Sequence, residues 1–140
     1  MSKVQAGLDV TEMLLKAGAN TEHGDQFGET PIFIGMSINC PEVIEMLIRY
    51  GADMYAVSDR GLLPIHRGCT GGHVEAVRTL LNHGVDCNTL ATNGYTPLHC
   101  AIQKQTIGIL NLLLSLPDIK FDETHIETAL YNRDRLAILL

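Results

Sequence analysis

Tryptophan is absent from this 140-residue chain, and aromatic residues make up only 5% of it. Strand-built sandwiches draw heavily on aromatic and β-branched side chains, so the scarcity favours packed helices. No run of about 18 uninterrupted apolar residues occurs, which excludes a helix crossing a membrane. The opening MSKVQAGLDV has no apolar stretch of the kind found in a secretory signal, and none is expected to act here. Basic residues are few and scattered singly: ten Lys and Arg against sixteen Asp and Glu, for a formal charge of −6. A phosphate backbone is held by clustered Lys and Arg, so no nucleic-acid partner is expected. The four cysteines, Cys40, Cys69, Cys87 and Cys100, form no CxxC pair. Without a secretion signal they read as reduced, buried thiols of an intracellular protein, cytoplasmic or nuclear.

What is present suffices for a core. Hydrophobic residues account for 46% of the chain and charged ones for 19%, which places it among ordered single domains. The stretch NGYTPLHC at 93–100 carries several local signals at once. Gly94 permits a turn, Thr96 can cap a helix, and Pro97 suits a first helical position, where a missing N–H costs nothing. The pattern predicts a first helix to about Lys104 and a second from about Thr106, apolar along Ile107, Ile109, Leu110, Leu113 and Leu114. An equivalent second helix is predicted from His73 to His83, with Val74, Val77, Leu80 and Leu81 at helical spacing. Gly84 then stands at the left-handed position that ends many helices.

These signals recur. Pro31, Pro64 and Pro97 are separated by 33 residues, as are Gly28, Gly61 and Gly94, and again Gly18, Gly51 and Gly84. The pairs Leu14-Leu15, Leu47-Ile48, Leu80-Leu81 and Leu113-Leu114 keep the same interval. A fixed period of this length marks an array of supersecondary units that share their cores with neighbours. The segments GETPIF, GLLPIH and GYTPLH, followed by MLLKAGAN, MLIRYGAD and TLLNHGVD, resemble the ankyrin-repeat family. The resemblance spans about residues 7–122 and implies an all-α fold: a solenoid of helix-turn-helix units joined by extended, hairpin-like loops.

One domain over 1–140 is expected, with a partial repeat at 7–24 and full repeats at 25–57, 58–90 and 91–122. An abbreviated repeat fills 123–140, its two helices shortened or merged, with Thr128-Ala129-Leu130 as an early helix start and Leu136–Leu140 as a second helix. Pro117 replaces the helix-ending glycine and cannot take a left-handed φ, so the loop at Leu116–Asp122 should differ from the others. The apolar ending LAILL suggests a segment of a longer array, or an end that pairs with another molecule.

Chemistry has weaker claims. His66, Cys69 and His73 offer zinc-type ligands, but zinc takes four at recognised spacings, and no metal or other cofactor is expected. The adjacent His99 and Cys100 point about 100° apart on a helix and cannot pair as base and nucleophile. RGCTGGH lacks the Lys-Ser/Thr of a phosphate loop. The resemblance instead gives His66 and His99 the structural task of tying loop to helix start, with Phe33 filling that slot in the first full unit. No enzyme is implied.

What the resemblance does imply is a protein-interaction module that binds through a concave face. On this chain the tips of that face are Gln26, Phe27 and Glu29; Asp59, Arg60 and Leu62; and Thr92, Asn93 and Tyr95. The helix positions are Ser37 and Ile38, Thr70 and Gly71, and Gln103 and Lys104. Phe27, Ile38, Leu62 and Tyr95 put apolar groups where polar ones would serve, with Arg60 and Lys104 available for an acidic segment. Asn88 matches a loop asparagine that an asparaginyl hydroxylase modifies in some family members, with Leu80 and Asp86 at fitting distances. The alternatives are a structural spacer or a self-associating piece of a longer array and, with the weakest support in the residues, a metal-binding or enzymatic domain.

Overall fold

The structure, a computed structural model, describes residues 2–139. All regular structure among them is helical: α1 (Lys3–Lys16), α2 (Pro31–Ser37), α3 (Pro41–Arg49), α4 (Pro64–Gly71), α5 (Val74–Asn82), α6 (Pro97–Lys104), α7 (Ile107–Leu114) and α8 (Glu123–Leu139). The expected bounds around Pro97, Lys104 and Thr106 hold to within a residue.

The helices form two parallel rows. Inner helices α2, α4, α6 and α8 stack on one another, and outer helices α1, α3, α5 and α7 do the same. Each pair α2–α3, α4–α5 and α6–α7 is one unit, bent back by a short turn. The core lies in the seams between units: Phe33, Ile44, Ile65, Leu80, Leu98, Ile109 and Leu113 are almost wholly buried. Gly84 has φ +88° at the end of α5, so the chain reverses there without the penalty a Cβ would carry.

Hairpin tips link the units. In each of three tips the same two backbone bonds close the turn, for example Ala91 N–H to the Tyr95 carbonyl and Gly94 N–H to the Ala91 carbonyl. Neighbouring tips lie side by side, joined by Asp59 N–H to the Phe27 carbonyl and Thr92 N–H to the Gly61 carbonyl, each at 2.9 Å. The approach at Gly61 is close enough that a Cβ would meet the Thr92 Cβ at 2.6 Å. A second set of clamps runs along the outer loops at positions 33 apart. The Glu22 carboxylate accepts from Asp53 N–H, the Tyr55 hydroxyl from Asp86 N–H, and the Asn88 Oδ1 from Lys120 N–H. Asn88 Nδ2 also donates to the Asp118 carbonyl at 2.9 Å, so this one carboxamide holds the last loop twice.

The last link departs from the others, as Pro117 requires. After Ser115 the chain reaches Glu123 without a hairpin tip. The helix start is set by Asp122, whose N–H donates to the His125 Nδ1 at 3.1 Å, as Thr96 N–H does to the His99 Nδ1. His125 therefore takes the role of His99 although it stands only 26 positions later, seven fewer than the repeat interval. This corrects the expected start at Thr128-Ala129-Leu130, which lies inside a continuous α8. Of the expected second helix at Leu136–Leu140, the backbone of 136–139 continues α8, and Leu140 lies outside the described residues.

The histidine slot carries different bonds in each unit. His99 Nδ1 accepts the Thr96 N–H while the Thr96 hydroxyl accepts the His99 N–H, a reciprocal cap. In addition, His99 Nε2 reaches the Thr124 hydroxyl at 3.0 Å. His66 has Leu63 in place of the threonine and instead donates from Nε2 to the Tyr95 carbonyl at 3.0 Å, tying α4 to the next tip. With Phe33 in the slot, the Thr30 hydroxyl is buried and has no hydrogen-bond partner. Thr30→Val should accordingly be neutral or slightly stabilising, because it removes an unsatisfied hydroxyl. Thr96→Val should cost about 1–2 kcal/mol, because it breaks a satisfied cap. Chemical denaturation of the two variants against the parent measures the contrast.

Candidate protein-interaction face

The hairpin tips and the inner helices carry the expected partner-binding residues. Gln26, Phe27, Asp59, Arg60, Thr92 and Asn93 are exposed on the tips, and Ile38, Gly71, Gln103 and Lys104 on the inner helices. The Arg60 guanidinium sits over the Phe27 ring, 5.6 Å from its centroid, and so joins two successive tips through a cation–π contact. The local cause is the Asx turn at the first tip: Asp25 Oδ1 accepts from Phe27 N–H and Glu29 N–H, which turns the Phe27 ring outward.

Five of the expected residues, Glu29, Ser37, Leu62, Thr70 and Tyr95, are partly or wholly engaged inside the fold. Glu29 is buried and paired with Arg67 at 3.3 Å, and Arg67 Nε also donates to the Ser37 hydroxyl at 3.0 Å. Arg67 thus crosses from α4 to the preceding unit and takes up both polar groups, so Glu29 is not offered to solvent. A half-buried Tyr95 stacks on His99 with ring centroids 5.2 Å apart. The hydroxyl of Thr70, half-buried, faces the Cys100 thiol. Leu62 is also half-buried, which leaves part of its side chain on the face.

A further concavity lies toward the terminal helix. A cleft between α6 and α8 is lined by Tyr95, Gln103, Thr124, Glu127, Thr128 and Tyr131, with Tyr131 largely exposed. Glu127 and Tyr131 escaped notice because the terminal helix was set in the wrong register. The signal that could have found it is the spacing Asp122-x2-His125, which repeats Thr96-x2-His99.

Reactive side chains are placed to do little. Burial pushes the Cys69 thiol far up, with the nearby Cys100 adding to the rise, and burial likewise raises Cys87 and Cys100. None of these three thiols is a ready thiolate at neutral pH. Among the described residues, no group of three or more His, Cys, Asp and Glu side chains is arranged to hold a metal ion. His66, Cys69 and His73 are not brought together: His66 bonds the Tyr95 carbonyl, and His73 stands at the start of α5. No described helix is long and apolar enough to cross a membrane.

A comparison with curated proteins found no match. A sequence model of the family described as Ankyrin repeats (3 copies) matches residues 1–89 and again 36–125. Repeats of this family are typically non-catalytic modules that bind other proteins. The period of 33, the two stacked rows of helices and the paired hairpin tips agree with that match. The chain belongs to the ankyrin-repeat family.

Proposed function

We propose that this chain holds a protein partner on a concave face formed by its hairpin tips and inner helices. The observation that carries the reading is the exposed Phe27–Arg60 pair, an aromatic and a guanidinium fixed together across two tips. Aromatic and arginine side chains dominate the energetics of protein interfaces, and a cation held by an aromatic ring loses less entropy on binding. Ile38 adds exposed apolar surface at the end of α2, and Gln103, Lys104 and Tyr131 add exposed groups on α6 and α8. Arg60 and Lys104 suit a partner segment that carries carboxylates.

Tyr95 is a poor choice for testing this, because its ring packs on His99 and its carbonyl receives the His66 bond. Phe27→Ser, Arg60→Ser and Tyr131→Ser change exposed groups only. The triple variant should capture the partner about tenfold more weakly than the parent, as the loss of a small hot-spot cluster would. Its helical content should stay the same. Equal capture by the two proteins would move the site off this face.

For Asn88 the reading is mainly structural, resting on its two hydrogen bonds to the next loop. A gain of one oxygen at Asn88 in protein isolated from cells would mark it as a hydroxylation site as well.

A further inference from the structure

The cleft between α6 and α8 is built on one face of α8. Thr124, Glu127, Thr128 and Tyr131 follow one another at steps of three, one and three residues, which aligns them on a single side of the helix. All four line the cleft, and Tyr95 and Gln103 line it from the side of α6. A bond between the helices fixes each end. His99 Nε2 donates to the Thr124 hydroxyl at 3.0 Å, and Asn132 Nδ2 donates to the Ile102 and Gln103 carbonyls at 3.3 and 3.2 Å. The cleft is therefore preformed, and it encloses about 420 Å³.

Its chemistry selects a cation. Glu127 is the one carboxylate among the lining groups, and its side chain is exposed. Among the described residues Glu127 takes part in no ion pair, and no Lys or Arg lines the cleft. Lys104, in the last turn of α6, lies instead toward the Cys100 thiol, which Thr70 of α4 also faces. Tyr95 is held in place by stacking on His99, while Tyr131 is 64% exposed. The face of a tyrosine ring attracts a cation, and a carboxylate beside it adds a full opposite charge. The last carbonyls of α6, where Asn132 bonds, bring partial negative charge to the same end.

We infer that this cleft receives an arginine side chain of the partner. A guanidinium is planar, so it lies flat on a tyrosine ring while its fork of N–H groups pairs with the Glu127 carboxylate. The side-chain oxygens of Gln103 and Thr128 serve its remaining donors. Lysine offers a point charge with no flat surface to stack. An acidic side chain would be repelled by Glu127, and an apolar one would bury that carboxylate without a partner. The inference rests on the partner-binding reading of the inner helices and adds a charge pattern to it. With Arg60 on a tip and Glu127 on α8, the bound segment carries both signs: carboxylates toward the tips and an arginine toward α8.

The probe is the blocked tripeptide acetyl-Gly-Arg-Gly-amide, titrated into the isotopically labelled chain, beside its citrulline counterpart, which keeps the shape and loses the charge. The arginine peptide should move the backbone amide signals of Glu127, Thr128 and Tyr131 along a saturating curve. The citrulline peptide should bind about fivefold more weakly, the most that an ion pair open to solvent supplies. Glu127→Gln should lose the same factor with unchanged circular dichroism, because the side chain is exposed. Tyr131→Leu removes the ring but no charge and should weaken binding about twofold to fivefold. No saturable shift with the arginine peptide, or equal binding of the two peptides, would overturn the inference. So would shifts centred on other exposed carboxylates such as Asp53 and Asp86. The tip site is tested separately, since Phe27→Ser with Arg60→Ser should weaken partner capture and leave the tripeptide's binding unchanged. Weakened capture without tripeptide binding refutes the cleft alone, and tripeptide binding with undiminished capture refutes the tip reading alone.

Discussion

Leu80→Ala should destabilise the fold by about 3–5 kcal/mol, the range for truncating a leucine where the surroundings cannot collapse into the void. Leu80 is fully buried in α5, in the seam where the inner and outer rows meet. Leu14→Ala, 66 residues earlier in the same slot, should cost well under about 1 kcal/mol, as exposed substitutions do. The two leucines carry the same repeat signal and differ only in what lies opposite them. Urea denaturation of both variants, fitted with a common slope, tests the pair. Equal costs at the two positions would mean that Leu14 is covered in solution.

The contrast bears on how much of the fold was legible in the sequence. Proline at the first helical position, glycine past the last and paired leucines between them fix φ, cap and buried face. These features are local, so the expected bounds of α5 and α6 and the start of α7 hold to within a residue. The terminal helix was misread because its own start signal is made of other residues. Asp122 replaces the capping threonine, Glu123 replaces the proline, and the missing hairpin tip breaks the interval of 33. Thr128-Ala129-Leu130 merely looked more like the repeat than Asp122–His125 did.

The candidate face was legible at the exposed tips and not where side chains turn inward. Nothing local marks Glu29 as buried. Its partner Arg67 lies 38 residues away, and only the stacking of α4 on α2 brings them together. The outer clamps were hidden for a related reason. Glu22, Tyr55 and Asn88 share no chemistry except an oxygen that can accept a backbone N–H, so a search for repeated residue types passes over them.

Lowering the pH from 7.5 to 5.5 should cost this fold stability, and the histidine slot is the reason. Burial holds His66 below the ordinary histidine value, only partly opposed by its hydrogen bond to the Tyr95 carbonyl. His99 is also held low, first by burial and then by His125, stacked on it with ring centroids 3.7 Å apart, while Asp122 pulls the other way. The geometry agrees, since the Thr96 N–H points at His99 Nδ1 and leaves that nitrogen no room for a proton. A histidine that stays neutral in the fold but protonates in the unfolded chain favours unfolding as pH falls through about 6.5. Above about pH 7 both states are neutral and the effect vanishes. Each such histidine contributes a slope of at most about 1.4 kcal/mol per pH unit. Asp122, held below its ordinary value by hydrogen bonds from Thr124, adds a further loss only in stronger acid. His99→Gln keeps a polar side chain without the titration and should flatten the profile between pH 7 and 5.5. Because His99 bonds Thr124 at the start of α8, hydrogen exchange in that helix should accelerate before the rest of the stack responds. A stability that is flat or rising toward acid in the parent would contradict the buried, neutral state of both rings.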